Sequence, residues 1–340
     1  MQLGGNGMVS MKDIARRCGV SVATVSKALN GLPDIGEETR QRICAVAAEM
    51  GYMTNSAARA LKTKRTYNLG ILFVDERRSG LSHEYFSSII EGFKQEAEAH
   101  GYDITFINSN VGNQPISYLR HCRYRGLDGV LIACVNFYDP RVEELVKSNI
   151  PVITIDHVFP DRQAILSDNV DGLEALVHYA YDKGHRNIAF LHGEDTSVTK
   201  GRLTGFYKAC EELGIEVPAE YVIPCVYHDP DRCEEATRQL LQLPNRPTCV
   251  IFPDDYSFIG GLNAILEAGL RMPEDISAMG YDGINLARLM HLTTYTQKAL
   301  TIGKTSAERL IALVENPDSA ETEPLMIHGG LLEGRSVKEL

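Results

Sequence analysis

Tryptophan is absent from the 340-residue sequence, and aromatic residues make up only 7% of it. Any ring that stacks on a ligand must therefore come from tyrosine or phenylalanine. Long apolar runs are missing as well. None reaches about 18 residues, which excludes a transmembrane helix, so no membrane partner is expected. The opening MQLGGNGMVSMKD lacks the basic stretch and apolar core of a secretory signal, and a cytoplasmic protein is expected. Its GGNG has no strand before it, so a flexible leader is expected rather than a phosphate loop. The eight cysteines include no C-x-x-C pair and no Cys/His cluster of zinc-finger spacing. Buried, reduced thiols are the expectation. Nucleophile elbows, P-loops, HExxH and kinase signatures are also missing. The sequence therefore assigns no catalytic residue, no metal and no cofactor, and an enzyme is not expected.

Charge is unevenly spread. The chain carries a net −11, yet residues 8–65 hold ten lysines and arginines against five acids, a net of +5. The remainder carries −16. A basic head on an acidic body suits a head drawn to phosphate backbones and a body that avoids them.

The head reads as three short helices. In MKDIARRC, residues 11–18, Ile14, Ala15 and Cys18 share one face. Gly19 breaks the helix. Ser21 is placed to cap a second helix running to about Leu29, with Val25, Ala28 and Leu29 inward. NGLPDIG supplies turn chemistry. EETRQRICAVAAEM, residues 37–50, is expected to be a third helix with Ile43, Val46, Ala47 and Met50 inward. Two helices joined by a Gly-containing turn and braced by a third form a helix-turn-helix unit. The N-terminal part of the second helix then enters the major groove. Ser21, Thr24 and Ser26 can donate to phosphates or bases, Lys27 can reach guanine or phosphate, and Val22 and Ala23 can touch thymine methyls. A small helical bundle without a DNA role fits the same periodicity.

The segment NSAARALK, residues 55–62, has one large apolar side chain, Leu61, beside Arg59, Lys62, Lys64 and Arg65. Too short to be stable alone, it is expected to order on docking, with Leu61 as a minor-groove wedge. A basic linker is the plainer reading.

Taken in order, MKDIARRCGVSVATVSKALNG, TRQRICAVAAEMGY and NSAARALK resemble the lactose-repressor (LacI/GalR) family of bacterial transcription regulators. The resemblance implies a recognition-helix start at Ser21, Val22, Ala23 and Thr24, with Ser26 beside it and a basic position at Lys27. It also implies a hinge helix over 55–62 with Asn55, Ala58, Arg59, Leu61 and Lys62 at DNA. Thr54 stands where the family commonly has proline. The family is controlled by small effectors, mostly sugars, in some members a purine or a partner protein.

From residue 68 onward, strand-like and helix-like segments alternate. NLGILFV, DITFIN, LDGVLIACV and IPVITIDHV form one series; HRNIAFLHG, YVIPCV, TCVIFPDD and ISAMGYDG form a second. Short apolar runs between helices imply parallel sheets covered on both faces, here two doubly wound subdomains. The expected class is therefore α/β: an N-terminal helix-turn-helix domain plus hinge helix, then two doubly wound parallel-sheet subdomains. The resemblance adds that this core is periplasmic-binding-protein-like and that SAERLIALVEN returns to its first half. The expected parts are a leader, 1–10; the helix-turn-helix, 11–54; hinge and linker, 55–67; a first subdomain, 68–167 with 294–325; and a second, 168–293 with 326–340.

Ligands bind such sheets at the carboxyl ends of the strands. Asp156, Asp254, Asp255 and Asp282 end strands, and Arg202 opens a helix. Carboxylates and guanidinium groups pair well with hydroxyls. The family's ligand arginine matches Arg202, and its aspartates match Asp156, Asp255 and Asp282, while Asp254 departs from the usual Asn. Tyr85, Phe86, Phe137 and Phe159 are the candidate stacking rings. Four acids against one arginine disfavour an anionic effector, so a neutral sugar or related polyol is expected, with a nucleoside, purine or protein co-repressor as alternative. The sequence ends in GGLLEGRSVKEL without leucine heptads, so a homodimer on a pseudo-palindromic DNA operator is expected. A sugar-binding receptor or sugar-processing enzyme is the alternative class that the body alone permits.

Overall fold

The structure, a computed structural model, describes residues 9–29, 31–32, 34–52, 65–74, 80–319 and 322–340. The chain divides into two compact units, Met1–Thr66 and Tyr67–Leu340.

The first unit holds α1 (Met11–Cys18), α2 (Val22–Leu29) and α3 (Glu37–Glu49). Before α1, the carboxylate of Asp13 accepts from the backbone N–H of Ser10 at 3.0 Å and from its hydroxyl at 2.6 Å. This ties the chain's entry to the first turn, and Val9 packs on the small core. Val9 and Ser10 therefore belong to the folded head, and the expected leader 1–10 is two residues too long. Gly19 turns left-handed at φ +65° and closes α1, with Val20 N–H bonding to Ala15 O. Ser21 Oγ accepts from Thr24 N–H at 3.0 Å and caps α2. Ile14, Val25 and Ile43 are fully buried, with Ala15, Ala28 and Ala47 around them. Met11, Leu29, Val46 and Met50 pack around this centre, half-buried.

The second unit contains two six-stranded sheets. The first has the order β13-β7-β6-β5-β1-β2, all parallel. Its strands are β1 (Asn68–Phe73), β2 (Asp103–Phe106), β5 (Gly129–Ala133), β6 (Val152–Ile155), β7 (Gln163–Ser167) and β13 (Leu325–Ile327). The second has the order β14-β12-β11-β10-β8-β9, parallel except for β14. It uses β8 (Ile188–His192), β9 (Val222–Pro224), β10 (Cys249–Ile251), β11 (Ser277–Asp282), β12 (Thr293–Thr296) and β14 (Gly330–Leu332). A small hairpin, β3 (Asn110–Val111) with β4 (Gln114–Pro115), sits apart. The helices are α4 (Glu84–Ala99), α5 (Tyr118–Arg125), α6 (Pro140–Val146), α7 (Asn169–Asp182), α8 (Ser197–Glu212), α9 (Pro230–Leu241), α10 (Phe258–Glu267), α11 (Asn285–Met290) and α12 (Ala299–Glu315).

Sheet membership moves the expected subdomain limits by a few residues. Thr294–Thr296 pair with β11 and so belong to the second sheet. Met326 and Ile327 pair with β7 and so belong to the first. The chain thus crosses after β7, after β12 and after β13. In both sheets the first strand has its sequence successor on one side and the third strand on the other. The switch points lie between β1 and β5 and between β8 and β10, where such sheets open a crevice. Helix α12 returns to pack on α4, placing Ile302, Ala307, Leu310 and Ile311 in the first subdomain's core. All eight cysteines are free; five are buried, Cys18 and Cys134 are half-buried, and Cys44 is exposed, contrary to expectation for those three.

Candidate effector site and nucleic-acid interface

Of the effector candidates, Asp282 meets Arg202, which the first turns of α8 bury almost completely. Its Nε donates to Asn169 Oδ1 at 2.9 Å and its Nη1 to Pro253 O at 2.7 Å. Nη2 lies 3.9 Å from Asp282 Oδ1. The guanidinium sits 3.6 Å from the ring centre of Tyr281 and 5.2 Å from that of Tyr227. Buried guanidinium and buried carboxylate offset each other's desolvation.

Asp282 ends β11 with φ +107°, a strained backbone for a residue with a side chain. Its Oδ1 accepts from Gln297 Nε2 at 2.6 Å. Burial pushes its carboxyl up to about 7, against the pull of Arg202 and with a further push from Asp254. The folded pKa lies above the unfolded one of about 3.9. This site's contribution to stability is therefore fully present below pH 4, falls as pH rises through 4 to 7, and levels off above 7. Asp282→Asn should remove that slope. Melting temperatures of both proteins between pH 5 and 8 check this; parallel curves would contradict it.

The other acids are committed elsewhere. Asp255 is fully buried and accepts from Gly283 N–H, Ile284 N–H and Thr294 Oγ1 at 2.6–3.0 Å. Asp254 accepts from His228 N–H, Ser257 N–H and Ser257 Oγ at 2.7–2.8 Å. Asp156, also at positive φ, accepts from Ser167 N–H at 2.6 Å and Ser167 Oγ at 3.0 Å. Asp254 and Asp255 lie in the turn after β10, and their different donors tie different loops to it. All three therefore brace loops at the strand ends, and Asp282 is the acid that pairs with Arg202.

Of the groups that connect these residues, sequence reasoning named Tyr85 only as a stacking ring and missed Ser167 and Gln297. Tyr85 OH lies 3.1 Å from Ser167 Oγ and 3.3 Å from Gln297 Oε1. A hydrogen-bonded chain thus runs Asp156, Ser167, Tyr85, Gln297, Asp282. It joins both subdomains through Ser167 and Gln297, which stand at two of the crossovers. Three further contacts bridge the halves: Ser197 Oγ to Asp156 O at 2.7 Å, Asn285 N–H to Glu84 Oε1 at 2.8 Å, and the stacked rings of His83 and His228 at 4.2 Å. Tyr256 stacks on His228 at 4.0 Å. Phe86 contacts Phe73, His83 and Tyr85 and lies beside this group. Phe137 and Phe159 instead enclose His157 after β5 and β6. Tyr85 was named as a stacking ring, not as a hydrogen-bonding link; the signal for Tyr281 was its position next to Asp282, and nothing local marked Gln297, His83 or His228.

On the head, Ser21, Val22, Ala23 and Lys27 are exposed, and Thr24 and Ser26 half-buried. The low-profile outer face of α2 is therefore open to a partner. Ser21 Oγ is engaged as the helix cap and also shares a hydrogen bond of 2.9 Å with Thr24 Oγ1. Lys27 pairs with Asp34 and holds that carboxyl below its usual range. Asn55, Ala58, Arg59, Leu61 and Lys62, with Thr54, lie outside the described residues.

This chain matches two family models. One, described as bacterial regulatory proteins of the lacI family, covers residues 10–55. The other, described as periplasmic binding proteins and sugar binding domain of the LacI family, covers residues 68–333. The chain belongs to the LacI family. Among LacI-family relatives, the transcriptional repressor PurR of Escherichia coli O139:H28 and that of Shigella boydii are each 31% identical to it, over 98% of both chains. Among solved structures, the lac repressor bound to ONPG in its repressed state superposes with a TM-score of 0.78 at 24% identity, covering 97% of this chain and 100% of that one. A CelR–cellobiose complex gives 0.70 at 22%, covering 96% and 99%. A LacI-family regulator from Enterococcus faecium with bound ribose gives 0.69 at 25%, covering 80% and 99%. The chain is thus a DNA-binding transcription regulator with a ligand-binding core, and its relatives are repressors rather than enzymes. Among the described residues, no helix is long and apolar enough to cross a membrane.

Proposed function

We propose that this regulator is a cytoplasmic homodimeric repressor whose operator affinity is set by a neutral small molecule held against Arg202 and Asp282. The observation that carries this reading is the pairing of one buried guanidinium with one buried carboxyl at the carboxyl ends of the strands. A pair with little net charge suits hydroxyl, amide or ring-nitrogen partners better than phosphates. Sugars and polyols fit the hydroxyl-bonding groups. Purines and nucleosides are a second reading, supported by the His83, His228 and Tyr256 ring column and by whole-length similarity to a protein named PurR. Effector occupancy would bias the Asp156–Ser167–Tyr85–Gln297–Asp282 chain, and with it the closure of the two halves.

Calorimetry of the purified protein against neutral sugars, purines, nucleosides and their phosphates tests this. The expected result is a neutral ligand that binds wild type and is lost in Asp282→Ala. A phosphorylated ligand binding tighter than its neutral parent would overturn the assignment.

At the operator, Ser21, Val22, Ala23, Thr24, Ser26 and Lys27 would face the major groove, and Leu61 would wedge into the minor groove between two hinge helices. Leu61→Ala is expected to weaken operator binding at least tenfold, while binding to unrelated duplex changes less than twofold at the same salt. Equal losses on both duplexes, measured by fluorescence anisotropy, would remove the wedge.

A further inference from the structure

Beyond the effector site, one group of side chains offers metal-ligand donors in close array. Asp168, Asp171 and His328 each present a donor atom, and these atoms all lie within 4.8 Å of one another. Asp168 is buried, whereas Asp171 and His328 are exposed at the surface. The group borders a cavity of about 590 Å³ that Asp156, Ser167 and Asn169 also line. The backbone fixes all three positions. Asp168 caps α7, accepting from Asp171 N–H at 3.1 Å, so its carboxylate and that of Asp171 share the helix's first turn. His328 follows β13, and its Nδ1 faces Asp168 Oδ2.

Asp168 and His328 also occupy two crossovers. Asp168 is the first residue after β7, where the chain leaves the first sheet for the second. His328 stands between β13 of the first sheet and β14 of the second. An ordinary ion pair between His328 and Asp168 would leave the Asp171 carboxylate unused and close to the first. Two carboxylates that close repel each other unless a proton or a cation lies between them.

We propose that Asp168, Asp171 and His328 form a binding site for one divalent transition-metal ion, of the zinc or manganese type, which fastens two crossover segments of the core together. One imidazole nitrogen and two carboxylate oxygens suit such ions, whereas magnesium and calcium favour oxygen ligands alone. Metal–ligand distances of about 2.0–2.2 Å put ligand atoms roughly 3–4 Å apart, so only small side-chain turns convert the observed array into a coordination shell. Water from the cavity would complete it. With three protein ligands and an exposed side, affinity on the order of micromolar is expected, not that of a closed structural site.

The test uses the full chain after treatment with EDTA, without DNA or effector, so it stands apart from the repressor reading. Calorimetric titration with zinc chloride and with manganese chloride should show one saturable site per chain. Magnesium chloride should give at least tenfold weaker binding. His328→Ala and Asp171→Asn alter exposed side chains and should leave the fold intact. Each should weaken binding tenfold or more and remove the ion's stabilising shift in melting temperature. Visible absorption of a cobalt-loaded sample should change in His328→Ala. Absence of saturable binding at millimolar ion would overturn the site and leave His328 and Asp168 as a helix-capping ion pair. Binding that both variants leave unchanged would overturn it equally, by placing the ion elsewhere.

Discussion

Arg202→Met is expected to lower the melting temperature of the core by roughly 6–10 °C and to abolish the response to effector. The guanidinium donates to Asn169 and to Pro253 O, and it is the cation 3.9 Å from the Asp282 carboxyl. Methionine keeps much of the volume and contributes no donor. Removing one partner of a buried charged pair costs about 3–5 kcal/mol, because the other charge stays buried without compensation. About 3 kcal/mol corresponds to roughly 6–10 °C in a unit of this size. The Arg202→Met/Asp282→Asn double variant should recover part of the lost stability but not the effector response. Calorimetric melting of the four proteins of the cycle decides this. A single Arg202→Met variant that melts with wild type would mean that the pair contributes little to the fold.

Gly303→Val should be still more disruptive, although residue 303 is remote from any ligand contact argued above. Glycines let α4 and α12 touch through their backbones. A Cβ on Gly303 would stand 1.9 Å from Ile89 O and 2.8 Å from Phe93 N, and one on Gly92 would stand 2.2 Å from Leu300 O. Main-chain atoms in the middle of a helix cannot swing aside as a side-chain tip can. Valine would force the helices apart and loosen the contacts of Ile302, Leu310 and Phe93 in the first core. Overpacking of this kind costs about 1–3 kcal/mol, and more where backbone must move. We expect the variant to be largely insoluble or to melt more than 10 °C below wild type. Leu300→Ala, on the exposed side of the same helix, should change little. A soluble Gly303→Val protein with native melting behaviour would show that the helices separate at little cost.

These two variants mark the line between what was legible in the sequence and what was not. Arg202 was singled out as a cation at the start of a helix after a strand, and Asp282 as an acid at a strand end. Gln297 was not. It stands in TYTQKAL, and only the crossover after β12 brings it to Asp282 on one side and Tyr85 on the other. Asp254 and Asp255 were legible as strand-end acids, but not the donors that reach them. A carboxylate's function depends on which donors reach it, and theirs come from residues 228, 257, 283, 284 and 294.

The sequence by itself determined the three-helix head, the caps at Ser21 and Gly19, the α/β class and the two series of strands. Local rules govern all of these: helical periodicity, capping chemistry and the alternation of short apolar runs with amphipathic helices. Tertiary structure alone decided the strands β12, β13 and β14, the crossover points and the identity of the groups around Arg202. Those strands are three or four residues long, too short to carry a periodic signal, and they form because a neighbouring strand offers hydrogen bonds. The groups at the site meet across more than one hundred residues of chain, through contacts that sequence spacing does not encode.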